Sequence, residues 1–297
     1  MKLCVFASLL ALALPAAAVA QETCLPFQLG DGGSPVVSAR VKGQGPFAFV
    51  LDTAASGSTL DERTIAKLGL ARDVETEEAQ GLGGAFSVRL FRVPSLDAGE
   101  LVLNDAIVPE TPAPAFESHD IVGLAGIDLL GERLTVWRPE TLCVGLAPSG
   151  ARPDGEGWTV AAAVWMRPWK ILLPVRIGSV DGLALLDTGA QRSVLNAAFA
   201  ERLQLTQASG RLRPGGEITG LDGRPLPLFE ARVGGSSLGP WTWADATVAV
   251  GDLPVFSRLG DPDRPLMVLG MDWLAGRSFA VDYGARKVWL RASPAVR

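Results

Sequence analysis

The chain has 297 residues, 48% of them hydrophobic and 20% charged, with a formal net charge of -5. That composition is too apolar for a disordered or fibrous chain, and the length suffices for two domains or two lobes around a sizeable core. An acidic balance without a basic cluster points away from nucleic acid. With one histidine and three cysteines, a His/Cys metal site or a Cys/His nucleophile pair has almost no residues to draw on.

Residues 1–20 read as a cleaved export signal: Lys2, a largely apolar run over 3–14, then Pro15 and the small Ala18-Val19-Ala20 before Gln21. The run is shorter than the ~20 apolar residues that span a bilayer, and no later stretch approaches that length, so stable membrane insertion is not expected. The mature chain is expected outside the inner membrane, in the periplasm. Gln21-Glu22-Thr23 is not the small-residue context of a lipid-anchored cysteine, so Cys24 is not expected to carry lipid. Cys4 leaves with the signal. Cys24 and Cys143 remain, in a compartment where disulfides persist, and are expected to bond to each other; two unrelated buried thiols are the alternative.

Short apolar runs over 36–41 and 47–51 flank a hairpin connection at 42–46 and lead into Asp52-Thr53-Ala54-Ala55. A short helix follows, capped by Asp61, its leucines spaced for one buried face. Then come Gly81-Leu82-Gly83-Gly84, a polar stretch in which His119 reads as a surface-loop histidine, an apolar run closing on Gly126, and a second short helix beginning near Asp128. Residues 147–157, rich in Pro, Gly and charge, read as a linker. The same landmarks then return. Runs over 172–177 and 183–186 flank 178–182 and lead into Asp187-Thr188-Gly189-Ala190, and residues 52–70 align without a gap with 187–205, matching Ala55 with Ala190, Ser58 with Ser193 and Leu60 with Leu195. Asn196 replaces Asp61 as the cap, Gly220-Leu221-Asp222-Gly223 answers 81–84, and a short helix near Asp272 answers the one near Asp128. The chain therefore divides into a signal (1–20), a first lobe (21–146), a linker (147–157) and a second lobe (158–297).

Each Asp-Thr turn places a carboxylate at the end of an apolar strand, among small residues that let backbone N–H groups approach it. One copy is an ordinary strand-end turn. Two copies on a repeat suggest carboxylates that work together: if the loops meet, both cannot easily ionise, and they share a proton. Asp128 and Asp272 also recur but read as caps or structural acceptors. No serine lies in a nucleophile motif, so a serine hydrolase fits poorly. Trp165, Trp169, Trp241 and Trp243 read mainly as core packing, with an apolar cleft as the alternative.

On Asp52-Thr53-Ala54-Ala55-Ser56, Asp187-Thr188-Gly189-Ala190 and the glycine-ended strands 120–126 and 266–270, the chain resembles the retropepsin-like aspartyl peptidases in a duplicated bacterial form. The resemblance covers nearly the whole mature chain. It implies a mostly β fold of two homologous lobes with short helices, related by a pseudo-twofold axis between Asp52 and Asp187 as the catalytic pair. It also implies a protein or peptide substrate bound by Thr53, Ala54, Thr188 and Gly189 beneath flap tips containing Gly81, Gly83, Gly84, Gly220 and Gly223. No metal or organic cofactor is implied, and since single-lobe relatives dimerise to assemble two aspartates, a duplicated chain is expected to act as a monomer. Ala54 departs from the usual glycine and adds a methyl group where substrate backbone should pass. The tyrosine of a pepsin-style flap is missing, the only tyrosine being Tyr283. A peptide-binding or scaffold protein that keeps the fold without turnover is the alternative reading.

Overall fold

The computed structural model describes residues 21–112, 120–167, 169–220 and 223–292. The expected signal, His119 and the flap residues Leu221 and Asp222 lie outside them. The fold is mostly β, with four short α-helices among the described residues.

In the first lobe, Pro35–Val41 and Gln44–Leu51 form an antiparallel hairpin in which Val41 faces Gln44. The intervening Lys42 and Gly43 have φ of 53° and 71°, the pair of positive values that a two-residue turn needs to match strand twist. Gln44–Leu51 then pairs in parallel with Ile121–Ala125, a strand buried along its whole length and correspondingly apolar. The second lobe repeats this plan: Lys170–Ile177 and Val180–Leu186 form the hairpin, and Leu266–Leu269 is the buried parallel partner. In each lobe the helix after the aspartate loop is capped as its sequence suggests. Asp61 Oδ1 accepts from Thr64 N at 2.7 Å ahead of Glu62–Leu68, and Asn196 Oδ1 accepts from Phe199 N at 2.9 Å ahead of Ala197–Arg202.

Glycines let the central strands pass the aspartate loops. A Cβ at Gly123 would lie 2.0 Å from the Thr59 carbonyl oxygen, one at Gly126 would lie 2.6 Å from the Gly57 carbonyl carbon, and one at Gly270 would lie 2.7 Å from that of Arg192. Backbone runs against backbone there, and no side chain fits.

A six-stranded antiparallel sheet joins the lobes, in the order Thr23–Pro26, Cys143–Pro148, Arg133–Arg138, Phe279–Asp282, Lys287–Arg291, Trp158–Ala161. Three strands come from each half, and the halves meet where Leu134 to Trp137 pair with Asp282 to Phe279. Trp137 stacks on Phe279 there, ring centroids 5.2 Å apart. Cys24 and Cys143 form a disulfide, Cα atoms 5.7 Å apart, within the first-lobe part of this sheet. Trp241 is fully buried, while Trp165, Trp169 and Trp243 are partly buried against the main core. No helix among the described residues is long and apolar enough to cross a membrane.

Candidate active site

Asp52 and Asp187 each follow the buried end of a strand, and each loop is tied to the glycine strand beside it. Asp52 N donates to Ala125 O at 3.0 Å, and Asp187 N donates to Leu269 O at 3.1 Å. Ser58 and Ser193 anchor the far side of each loop. Ser58 donates through N and Oγ to Asp128 while its Oγ accepts from Gly126 N; Ser193 does the same with Asp272 and Gly270 N. Asp128 and Asp272 thus hold the loops in shape, as structural acceptors.

The two loops are joined through their threonines. Thr53 N donates to Thr188 Oγ1 at 3.0 Å and Thr188 N to Thr53 Oγ1 at 3.1 Å, while each hydroxyl donates onward to the other lobe, Thr53 Oγ1 to Leu186 O and Thr188 Oγ1 to Leu51 O. Four buried hydrogen bonds across the pseudo-twofold fix the spacing of the loops, and leaving any of these polar groups unpaired would cost about 1 to 3 kcal/mol. Thr53 and Thr188 therefore lie beneath the aspartates as struts.

The carboxyls stand side by side. Asp52 is 8% exposed and Asp187 4%, and each carboxyl bears on the other's protonation. Asp52 Oδ1 accepts from Ala54 N at 2.7 Å and Ala55 N at 3.1 Å; Asp187 Oδ1 accepts from Gly189 N at 3.1 Å and Ala190 N at 2.9 Å. Burial pushes the Asp52 carboxyl above its ordinary value, opposed by the Ala54 N–H, the Lys170 cation and the Ala55 N–H. Burial and then the Asp52 charge push Asp187 up to about 8, again against the Lys170 cation and the loop N–H groups. Both carboxyls are thus held toward the protonated form, a property of the two groups together.

Gly189 borders the pair so closely that a Cβ on it would lie 2.4 Å from Asp52 Oδ2. Ala54, its counterpart, is half-buried against an apolar cluster of the second lobe. Leu82, at the tip of the hairpin formed by Ala71–Gly81 and Gly84–Ala98, joins the same cluster, together with Met166, Ile218, Leu226 and Val255. A Cβ at Gly84 would lie 3.4 Å from Pro254, so the tip bearing Gly81, Gly83 and Gly84 reaches across onto the second lobe. Gly220 and Gly223 close the opposite hairpin, Gly223 N donating to Gly220 O at 3.0 Å. Phe86 and Val88 of the first hairpin share a cleft with Arg224, next to Gly223. Among the described residues no group of three His, Cys, Asp or Glu is placed to hold a metal.

Two neighbours of the pair escape the sequence reading. Lys170 donates from Nζ to Ala54 O. Tyr283, fully buried with its hydroxyl unpaired, is pushed up by burial and by the Asp52 charge, and its ring meets Trp165 edge-on at 6.2 Å. Both lie far from the Asp-Thr motifs in sequence. Nothing local marks either of them.

A family model described as aspartyl protease matches the chain twice, over residues 37–129 and 173–273. No curated protein matches it. The two matches span most of the two lobes, each with its Asp-Thr loop and glycine strand, and the chain belongs to the retropepsin-like aspartyl protease family in a duplicated, two-lobe form.

Proposed function

We propose that the protein is an exported aspartic endopeptidase that hydrolyses peptide bonds with a water activated between Asp52 and Asp187. The observation that carries this reading is the reciprocal Thr53–Thr188 bonding, which makes two mirrored loops one unit and sets two buried carboxyls side by side. Asp52, ionised, takes a proton from the water as its oxygen attacks the scissile carbonyl carbon, while Asp187 gives its proton to the carbonyl oxygen. The tetrahedral diol then collapses. Its C–N bond breaks as the amine nitrogen takes a proton from Asp52, a diol hydroxyl returns its proton to Asp187, and the pair regains its single proton. These steps call for no cofactor.

The substrate lies extended between Ala54 and Gly189, whose loops the buried Thr53 and Thr188 hold in place, and the hairpin tips bearing Gly81, Gly83, Gly84, Gly220 and Gly223, where strand-like hydrogen bonds hold it and alternate side chains enter pockets. Export to the periplasm accords with the disulfide and with the character of residues 1–20. The active unit is the monomer.

The test is incubation of the mature protein with a peptide library. Wild type should cleave, and Asp52→Asn and Asp187→Asn should each lower turnover by about 10² to 10⁴-fold while remaining folded by circular dichroism. A folded single variant with near wild-type turnover would rule out the two-aspartate mechanism. Ala54, where the second loop has glycine, favours the second reading, a peptide-binding protein; peptide retention without cleavage by wild type would establish it.

A further inference from the structure

The catalytic loops are braced from outside by two mirrored turns, and the braces differ in charge. Val36 pairs with Val50, and Leu172 with Leu185, each two residues before an aspartate. Ser34 and Lys170, two residues before those strand partners, therefore occupy matching positions. In the first lobe the turn Asp31–Gly33 runs into Ser34 and leans on the second lobe's loop, where a Cβ at Gly32 would lie 2.5 Å from Gln191 Cβ. Ser34 is fully buried and its hydroxyl has no partner. In the second lobe the hairpin from Val164–Met166 to Lys170–Ile177 leans on the first lobe's loop, and Lys170 Nζ donates to Ala54 O, two residues from Asp52.

The position is built to hold the lysine. Trp165 packs edge-on against Tyr283, Trp169 lies under the Arg286 guanidinium at 5.8 Å, and Lys170, next to Trp169 in the chain, is half-buried. The other charged groups around the pair are engaged or neutral. Asp128 and Asp272 accept from Ser58 and Ser193, and Arg192 pairs with Glu230 and donates to Gly215 O. Tyr283 stays protonated, and Asp31 lies on the opposite turn. Lys170 is the cation that opposes proton uptake at both carboxyls.

We propose that Lys170 is a positioning residue for the pair: it pins the Asp52 loop through the Ala54 carbonyl and sets a fixed positive charge on one side of the pseudo-twofold, so that Asp52 is the partner kept ionised and Asp187 the partner that holds the proton. This rests on the peptidase reading and deepens it, since the charge breaks a symmetry that the mirrored loops would otherwise preserve. A neighbouring cation favours the ionised form of a carboxyl, so removing it shifts the range over which the pair holds one proton toward higher pH.

The test compares Lys170→Met, Lys170→Gln and Lys170→Arg with wild type in the full mature chain. The first readout is the carbon-13 titration of the Asp52 and Asp187 carboxyls, the second the pH profile of kcat/KM on a peptide that wild type cleaves. Gln can still donate to Ala54 O, which separates the pin from the charge. Both neutral variants should move the titration of the pair and both limbs of the profile up by about one pH unit, and Lys170→Arg should restore the wild-type positions. If Lys170→Met does not fold, the Gln and Arg variants carry the comparison. A folded Lys170→Gln whose pair titrates as in wild type overturns the inference, as does an even loss of kcat/KM at every pH with the limbs in place. Failure of wild type to cleave any peptide sinks the peptidase reading alone, because the carboxyl titration needs no turnover.

Discussion

One methyl group separates the turn Asp52-Thr53-Ala54-Ala55 from the turn Asp187-Thr188-Gly189-Ala190. Gly189 leaves no room for it, because it would overlap the Asp52 carboxylate, yet Ala54 carries one at the mirrored position and packs against the apolar cluster of the second lobe. The surroundings of the two carboxyls therefore differ. Asp187 has an ordinary value of 3.8 in the unfolded chain and is pushed up to about 8 in the fold. Between those limits the folded state binds more protons than the unfolded one, so this group's contribution is fully present below pH 3.8 and is lost as pH rises through about 8. Asp187→Asn removes the titration while keeping shape. Its unfolding free energy, measured by urea at pH 4, 6 and 8, should gain on that of wild type as pH rises, because wild type alone gives up the protonated-state advantage. A constant difference between the two proteins at all three values would show that Asp187 is not protonated in the fold.

The glycine strands show how an element serves a site it does not join chemically. Ile121–Ala125 must slide between Gln44–Leu51 and the 57–60 segment, and Gly123 makes that possible. Gly123→Ala forces a methyl group onto the Thr59 carbonyl, backbone that cannot swing aside, and should cost at least about 3 kcal/mol in urea unfolding, the upper end for overpacking. Gly57→Ala is the matched control: its nearest neighbour would be 3.8 Å away and its φ is not positive, so stability should change by less than about 1 kcal/mol. Equal losses for the two variants would contradict this account of the threading. These elements were legible in the sequence because their signals are local. Caps at Asp61 and Asn196 and apolar runs ending in aspartate recur with matching residue types, whereas the Ser58–Asp128 and Ser193–Asp272 pairs join residues 70 and 79 apart that the repeat marks only singly. The Ser34 and Lys170 positions match only in strand register and share no chemistry. The placing of Thr23–Pro26 and Trp158–Ala161 at opposite edges of the joining sheet depends on pairings more than a hundred residues apart, for which a short strand carries no mark.

For the whole molecule, the joining sheet ties the two lobes to each other. Arg133–Arg138 and Phe279–Asp282 pair at its centre, and the Asp282 carboxylate accepts from Ser149 Oγ and Gly150 N at 2.7 Å each, tying down the start of the connection between lobes. At the sheet's outer edge, the disulfide to Cys143 fastens the strand that buries Leu25. Both aspartate loops thus meet within one covalent chain, and their encounter does not depend on protein concentration, as it would for two separate lobes. Protein recovered from the exported fraction should therefore begin at Gln21, leave Cys24 and Cys143 unreactive to thiol reagents until reduced, and scatter light as a single chain. Its specific activity should stay constant over roughly a thousandfold dilution, since a monomer has no association equilibrium to lose. Activity per molecule that falls on dilution in step with a falling scattering mass would mean that a second copy completes the site, and that the internal pairing of Thr53 with Thr188 is insufficient to assemble it.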